Sequence, residues 1–206
     1  MRPSSRAAFV TLCLFGLAVA ACGTGARLTG TNLGNTPAPD FTLNDASGRS
    51  FSLHNHRGHA IVLTFLYTQC PDICPAIASK LARVGHALGR EAERVDFVAV
   101  SVDPPGDTPE NVARFTAEHD LGILGAHWQY GLGSLEELST VWHAYGIGAE
   151  PEPAAASLVN RDAAGIPVIS HNAVLYLIDA DGRERTLLHP DVLDDELLRD
   201  LRLLIH

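Results

Sequence analysis

Thr64–Pro75, TFLYTQCPDICP, is the stretch from which the fold is read. It closes an apolar run, Ala60–Leu66, that is continuous rather than alternating, which predicts a central strand buried on both faces. The run stops at Gln69-Cys70-Pro71, and a second Cys and Pro follow at Cys74 and Pro75. Beyond them Ile77, Leu81, Val84 and Leu88 recur at helical spacing, predicting a helix over Cys74–Gly89. A helix entered near Pro71 puts Cys74 on its first turn and Cys70 just before it. Thiols there face unpaired backbone N–H groups and the positive end of the helix dipole, which favours thiolate. Thiolates attack disulfides and hold soft metals, so the placement serves both chemistries. Helical neighbours at this spacing have Cβ atoms about 5–6 Å apart. A disulfide wants roughly 3.8 Å, so closing one requires a distorted first turn. A soft cation tolerates the wider gap; two thiolates select Cu(I), and an imidazole is a suitable third ligand. The bland alternative is two small apolar side chains that merely pack.

Working outward, Phe41-Thr42-Leu43 and Phe51-Ser52-Leu53 alternate around a polar turn and predict a β-hairpin. His54, His56 and His59 follow. They read either as a copper-collecting loop or as a solvated turn. We favour the turn, because neighbouring histidines in extended chain need not converge. Val95–Val102 is another strand. It leads into Thr108-Pro109-Glu110, where Thr108 is a suitable N-cap, Pro109 fits the first helical position and Glu110 suits the dipole. His127–Tyr130 is a short strand, and Ser134-x-x-Glu137 opens a helix to Tyr145 with a capping box. Gly146–Ser170 is rich in Ala, Pro and Gly and too long for an ordinary connection. His171–Asp179 and Arg183–His189 pair around Asp181-Gly182. Asp194–Ile205 is an amphipathic helix with Leu197, Leu201 and Leu204 on one face. Strands alternating with helices, then a hairpin and a last helix, give an α/β domain with a mixed sheet.

The chain has 206 residues, 46% of them hydrophobic, enough for a real core. Its formal charge of -9 argues against nucleic acid, which calls for a basic footprint. Of four cysteines, Cys13 and Cys22 fall in the N-terminal segment. The two that remain, Cys70 and Cys74, are too few for a disulfide scaffold or a closed zinc site. Arg2 and Arg6 precede an apolar stretch, Ala7–Ala21, that is shorter than a transmembrane helix and fits a secretory signal. Val19-Ala20-Ala21-Cys22 resembles the bacterial lipobox, in which cleavage precedes the Cys and its thiol carries the lipid; an uncleaved anchor is the alternative. Either arrangement places the domain outside the cytoplasm, beside a bacterial membrane. Residues 1–21 are thus expected to be a leader of lipoprotein type, 22–36 a flexible tether and 37–206 the folded domain.

Cys70-Pro71-Asp72-Ile73-Cys74-Pro75, Val102-Asp103-Pro104, Asp107-Thr108-Pro109-Glu110, and His171 ahead of Tyr176-Leu177-Ile178-Asp179 together resemble the Sco/SenC family. The resemblance covers roughly Pro37 to the C-terminus, with motifs in the right order and suitable gaps. It implies a thioredoxin-like fold, a central mixed sheet flanked by helices, that carries one copper as Cu(I) or Cu(II). The implied ligands fall on Cys70, Cys74 and His171. Also implied is a role in maturing the dinuclear copper centre of cytochrome c oxidase, with subunit II or another copper or thiol protein as partner. Asp103 is implied to lie near the metal without binding it. The Ala- and Pro-rich Glu150–Ala156 segment before His171 is a departure from the family pattern.

Three functions compete on these residues. The leading one is a lipid-anchored copper-binding assembly factor. A thiol–disulfide oxidoreductase would use Cys70 and Cys74 as its redox pair and have no need of His171. A peroxiredoxin-like peroxidase is the weakest. Those enzymes are similar in carrying Pro-x-x-x-Thr-x-x-Cys, whereas Thr68 stands only two residues before Cys70 and Thr64 replaces the Pro.

Overall fold

The computed structural model describes residues 27–148 and 173–206. The expected leader, the expected acylation site Cys22, the expected third ligand His171 and nearly all of the 146–170 connection lie outside them. In chain order the strands and helices are β1 (Thr31–Pro37), β2 (Thr42–Asn44), β3 (Ser50–Ser52), β4 (Ala60–Leu66), α1 (Ile73–Leu88), β5 (Val95–Ser101), α2 (Pro109–Glu118), β6 (Trp128–Gly131), α3 (Leu135–Ala144), β7 (Leu175–Ile178), β8 (Arg183–Leu188) and α4 (Asp194–Ile205).

Among the described residues the main sheet runs β1-β8-β7-β4-β5-β6, with β2 and β3 forming a separate hairpin. β4, β5 and β6 are parallel, whereas β7 joins β4 antiparallel and continues through β8 to β1. Every residue of β4 and β5 is buried, as their predominantly apolar, non-alternating sequences require. Their register pairs Val62 with Phe97 and Phe65 with Val100, so Phe97 and Phe65 point to opposite faces. α1 covers the Phe97 face; Gly85 lets it approach, since a Cβ there would lie 3.6 Å from the Phe97 ring and collide with Leu124. The other face is covered at the end of α3, where Tyr145 packs on Phe65 with ring centroids 5.7 Å apart. α4 lies beside α1, and the chain's lone lysine, Lys80, donates from α1 to the carbonyl of Val192 just ahead of α4.

The caps follow the sequence. Thr108 Oγ1 accepts from the N–H of Asn111 at 3.3 Å, with Pro109 opening α2. Ser134 and Glu137 make the reciprocal capping box of α3. The hairpin is present as β2 and β3.

One expectation is corrected. The tether reading over 22–36 fails for its last part, because residues 31–37 form the edge strand β1, paired antiparallel with β8 from Thr31↔Leu187 to Pro37↔Arg183. Nearly every side chain of β1 is exposed, so no apolar alternation marks it. What orders it is the free edge of β8, which supplies its hydrogen bonds.

Candidate metal centre

Cys70 and Cys74 sit where β4 hands over to α1, at the C-terminal end of the parallel strands. The chain leaves β4 through a turn in which the Cys70 N–H donates to the Tyr67 carbonyl at 3.3 Å. Helix α1 starts at Ile73, so Cys74 lies in its first turn, as expected, and Asp72 at the N-cap makes no side-chain cap bond. That leaves first-turn amides available to sulfur, and the Cys74 N–H points at Cys70 Sγ, 3.4 Å away. Cys70 is 7% exposed and Cys74 fully buried, and their sulfurs are not joined.

The two thiols are chemically unequal. Cys70 accepts a hydrogen bond from the Cys74 thiol, which outweighs burial; the amides of Asp72 and Cys74 and the Tyr67 hydroxyl add to it, bringing Cys70 down to about 5. Cys74, as the donor and more deeply buried, is driven far above the ordinary thiol range. The pair therefore holds one proton over a wide pH range, with the thiolate on Cys70. In reduced chain, thiolate ultraviolet absorbance is expected to rise with a midpoint near 5. In Cys74→Ala the donor is gone and the midpoint moves back toward 9.0. A wild-type midpoint near 9.0 would overturn this assignment.

The loop that presents Cys70 is fixed by a carboxylate. Asp107 Oδ1 accepts from the Thr68 N–H and Thr68 hydroxyl, both at 2.8 Å, while Oδ2 accepts from Ser101 at 2.6 Å and Tyr130 at 2.9 Å. The Tyr130 hydroxyl also lies 3.0 Å from the Leu66 carbonyl. Burial raises Asp107 against these four stabilising bonds. Asp103 is also buried, and burial plus the charge of Asp107 raises it. Its carboxylate accepts from the Gly106 N–H at 3.2 Å, and a Cβ on Gly106 would collide with it. The charge of Asp107 also acts on Cys74, adding to the rise of its thiol.

The histidine-rich turn differs from its expected form. His54 is exposed, but His56 is buried and its Nδ1 donates to Asp96 Oδ2 at 2.8 Å. His59 joins the same oxygen at 2.9 Å, and His127 reaches the other at 2.8 Å. The solvated-turn reading fails for His56 and His59 because their common partner is on a neighbouring strand, out of sight of local spacing.

The donors at the β4–α1 junction, soft and adjacent, fit a soft metal. Comparison with known proteins agrees with the motif order. The SCO1/SenC family model matches residues 30–206. The chain belongs to the SCO1/SenC family. It is similar to the mitochondrial SCO2 homolog of Danio rerio, 30% identical over 145 residues that cover 69% of this chain and 48% of that protein. The human SCO2 homolog is likewise 30% identical over 145 residues, covering 69% of this chain and 50% of the relative. The chain thus spans about half the length of these curated SCO2 relatives. Among solved structures, copper-bound ScoI of Bradyrhizobium japonicum matches with a TM-score of 0.68 at 27% identity, covering 82% of this chain and 99% of that one. Apo Sco1 of Thermus thermophilus matches at 0.67 and 26%, covering 87% and 98%. The mixed sheet flanked by helices is the thioredoxin-like architecture of these SCO1/SenC structures.

Proposed function

We propose that this SCO1/SenC chain binds one copper through Cys70, Cys74 and His171 and serves the maturation of the dinuclear copper centre of cytochrome c oxidase. The observation that carries the reading is the pair of buried sulfurs at the start of α1, one of them poised as thiolate. Copper here is cargo, and the two sulfurs supply soft donors for it. The similarity to copper-bound ScoI supports the same metal. The route of the chain supports His171 as third donor. β7 begins at Leu175, paired with Thr64 near the end of β4 that leads to Cys70, and the Thr64 hydroxyl donates to the Val174 carbonyl at 2.9 Å. The chain therefore comes into β7 at the sheet end that bears the cysteines, and four residues span up to about 14 Å. With two ligands on a rigid junction and the third on a separate connection, movement of that connection releases the metal. Acylation at Cys22 would hold the domain on the extracytoplasmic face of the membrane. There its partner is oxidase subunit II or another copper or thiol protein.

The decisive experiment is copper stoichiometry of the reduced chain together with the spectrum of the loaded protein. One copper per chain with thiolate charge-transfer bands is expected; absence of binding overturns the reading. The inequality of the thiols also favours a second activity, thiol–disulfide reduction. A thiolate at Cys70 attacks a partner disulfide, and Cys74 resolves the mixed disulfide, leaving the partner reduced and this pair oxidised. His171→Ser is then expected to spare reductase activity while abolishing metal transfer.

A further inference from the structure

We propose a second metal site, formed by His59, Asp96 and His127 and suited to a divalent cation of the Zn(II) or Cu(II) class. It lies at the opposite end of the sheet from the cysteines. His59 immediately precedes β4, Asp96 is the second residue of β5 and His127 immediately precedes β6. These strands are parallel neighbours, with Ile61 paired to Asp96 and Phe97 to Trp128, so topology gathers the three side chains at one edge. The length of β4, about 20 Å at some 3.3 Å per residue, separates them from the Cys70–Cys74 end.

Asp96 sits in a fully buried strand whose other residues, Ser101 apart, are apolar. Three imidazoles converge on its two oxygens at 2.8, 2.9 and 2.8 Å, all through Nδ1. Burial opposes the charge on Asp96, but the bonds from His56 and His127 prevail and hold its carboxyl below the ordinary range. His56 is buried and anchored on its other side by Gln129 Oε1 at 3.1 Å, so it acts as the outer partner that orients the carboxylate. His59 and His127 differ from it. Their side chains are 39% and 27% exposed, and their rings lie 5.6 Å apart at a tilt of 49°. One donor atom from each of His59, Asp96 and His127 lies within 4.8 Å of the others.

Imidazole and carboxylate donors suit borderline divalent ions. Bonds of about 2.0–2.1 Å in a tetrahedral site set ligand atoms roughly 3.3 Å apart. His59 and His127 here bond to different oxygens of Asp96, and the three ligand atoms lie within 4.8 Å of one another, so binding draws them together by up to about 1.5 Å, a movement that the two partly exposed rings can make. Three protein ligands leave a fourth position for solvent. On binding, the Nδ1 proton of each neutral ring moves through solvent to its own Nε2. The rings stay neutral and no redox partner is required.

The test uses the full chain carrying Cys70→Ser, Cys74→Ser and His171→Ala, titrated calorimetrically with Zn(II) alone. One saturable equivalent is expected. Adding His59→Gln and His127→Gln is expected to weaken it by at least about a hundredfold. Absence of saturable binding, or equal binding in both proteins, overturns the proposal. Should the double replacement unfold the chain, nuclear magnetic resonance of the unreplaced histidines decides. Zinc is expected to shift His59 and His127 but not the exposed His189; unmoved His59 and His127 signals refute the site. Because the cargo ligands are already removed, none of these outcomes depends on the copper reading.

Discussion

Replacing Cys74 with serine is expected to abolish copper retention while leaving a folded domain. The side chain fills a fully buried position at the start of α1, and serine is close enough in size to keep the packing. What is lost is a soft donor that Cu(I) requires. The fall in affinity should exceed the roughly 10–100-fold typical of losing an outer partner of a metal ligand. His171→Ala is expected to act in the same direction without disturbing the described core. A competition titration against a Cu(I) chelator measures both, and unchanged affinity in either variant removes that residue from the site. The proton count provides a further check. Cys70 already carries a thiolate above about 5, so copper uptake near neutral pH releases about one proton, that of Cys74.

Asp107→Ala is expected to destabilise the fold by about 3 kcal/mol, measured by denaturant unfolding, because it leaves the N–H and hydroxyl of Thr68 and the buried hydroxyl of Ser101 without their acceptor, whereas Tyr130 keeps the Leu66 carbonyl. Asp107→Asn separates shape from charge. Burial raises the folded pKa of Asp107 above its ordinary 3.8. Its titration therefore contributes stability that is present below the unfolded value and lost as pH rises through the folded value. In Asp107→Asn that slope is absent, so the stability difference between the two proteins changes with pH just above 3.8. A constant difference across that range would show that Asp107 titrates normally. Both replacements also loosen the turn that presents Cys70, since Thr68 stands two residues before it.

Much of this was legible in the sequence because it is written locally. The apolar, non-alternating stretches of β4 and β5, the cap at Thr108 and the box at Ser134 each depend on residues a few positions apart. The two cysteines were conspicuous for the same reason. The supports of the site were not. Asp107 was visible as part of a motif, yet its partners Thr68 and Tyr130 lie 39 and 23 residues away. The imidazoles on Asp96 come from 40, 37 and 31 residues away, and only sheet register unites them. An aspartate inside the mostly apolar strand VDFVAVS was the available signal, since a buried carboxylate demands partners.

Strand β1 has a consequence for self-association. β8 would otherwise end the sheet with a free row of amides and carbonyls, a template for another chain. β1 takes up that row and offers a poor surface in return. Its pairing is irregular between Asn32 and Thr36, Gly34 and Asn35 both have positive φ, and it ends at Pro37. A bent, proline-terminated and polar outer strand discourages a further copy from adding on. The residues that escaped prediction for want of an apolar pattern thus act as a guard against aggregation, and their lack of pattern is what suits them to it.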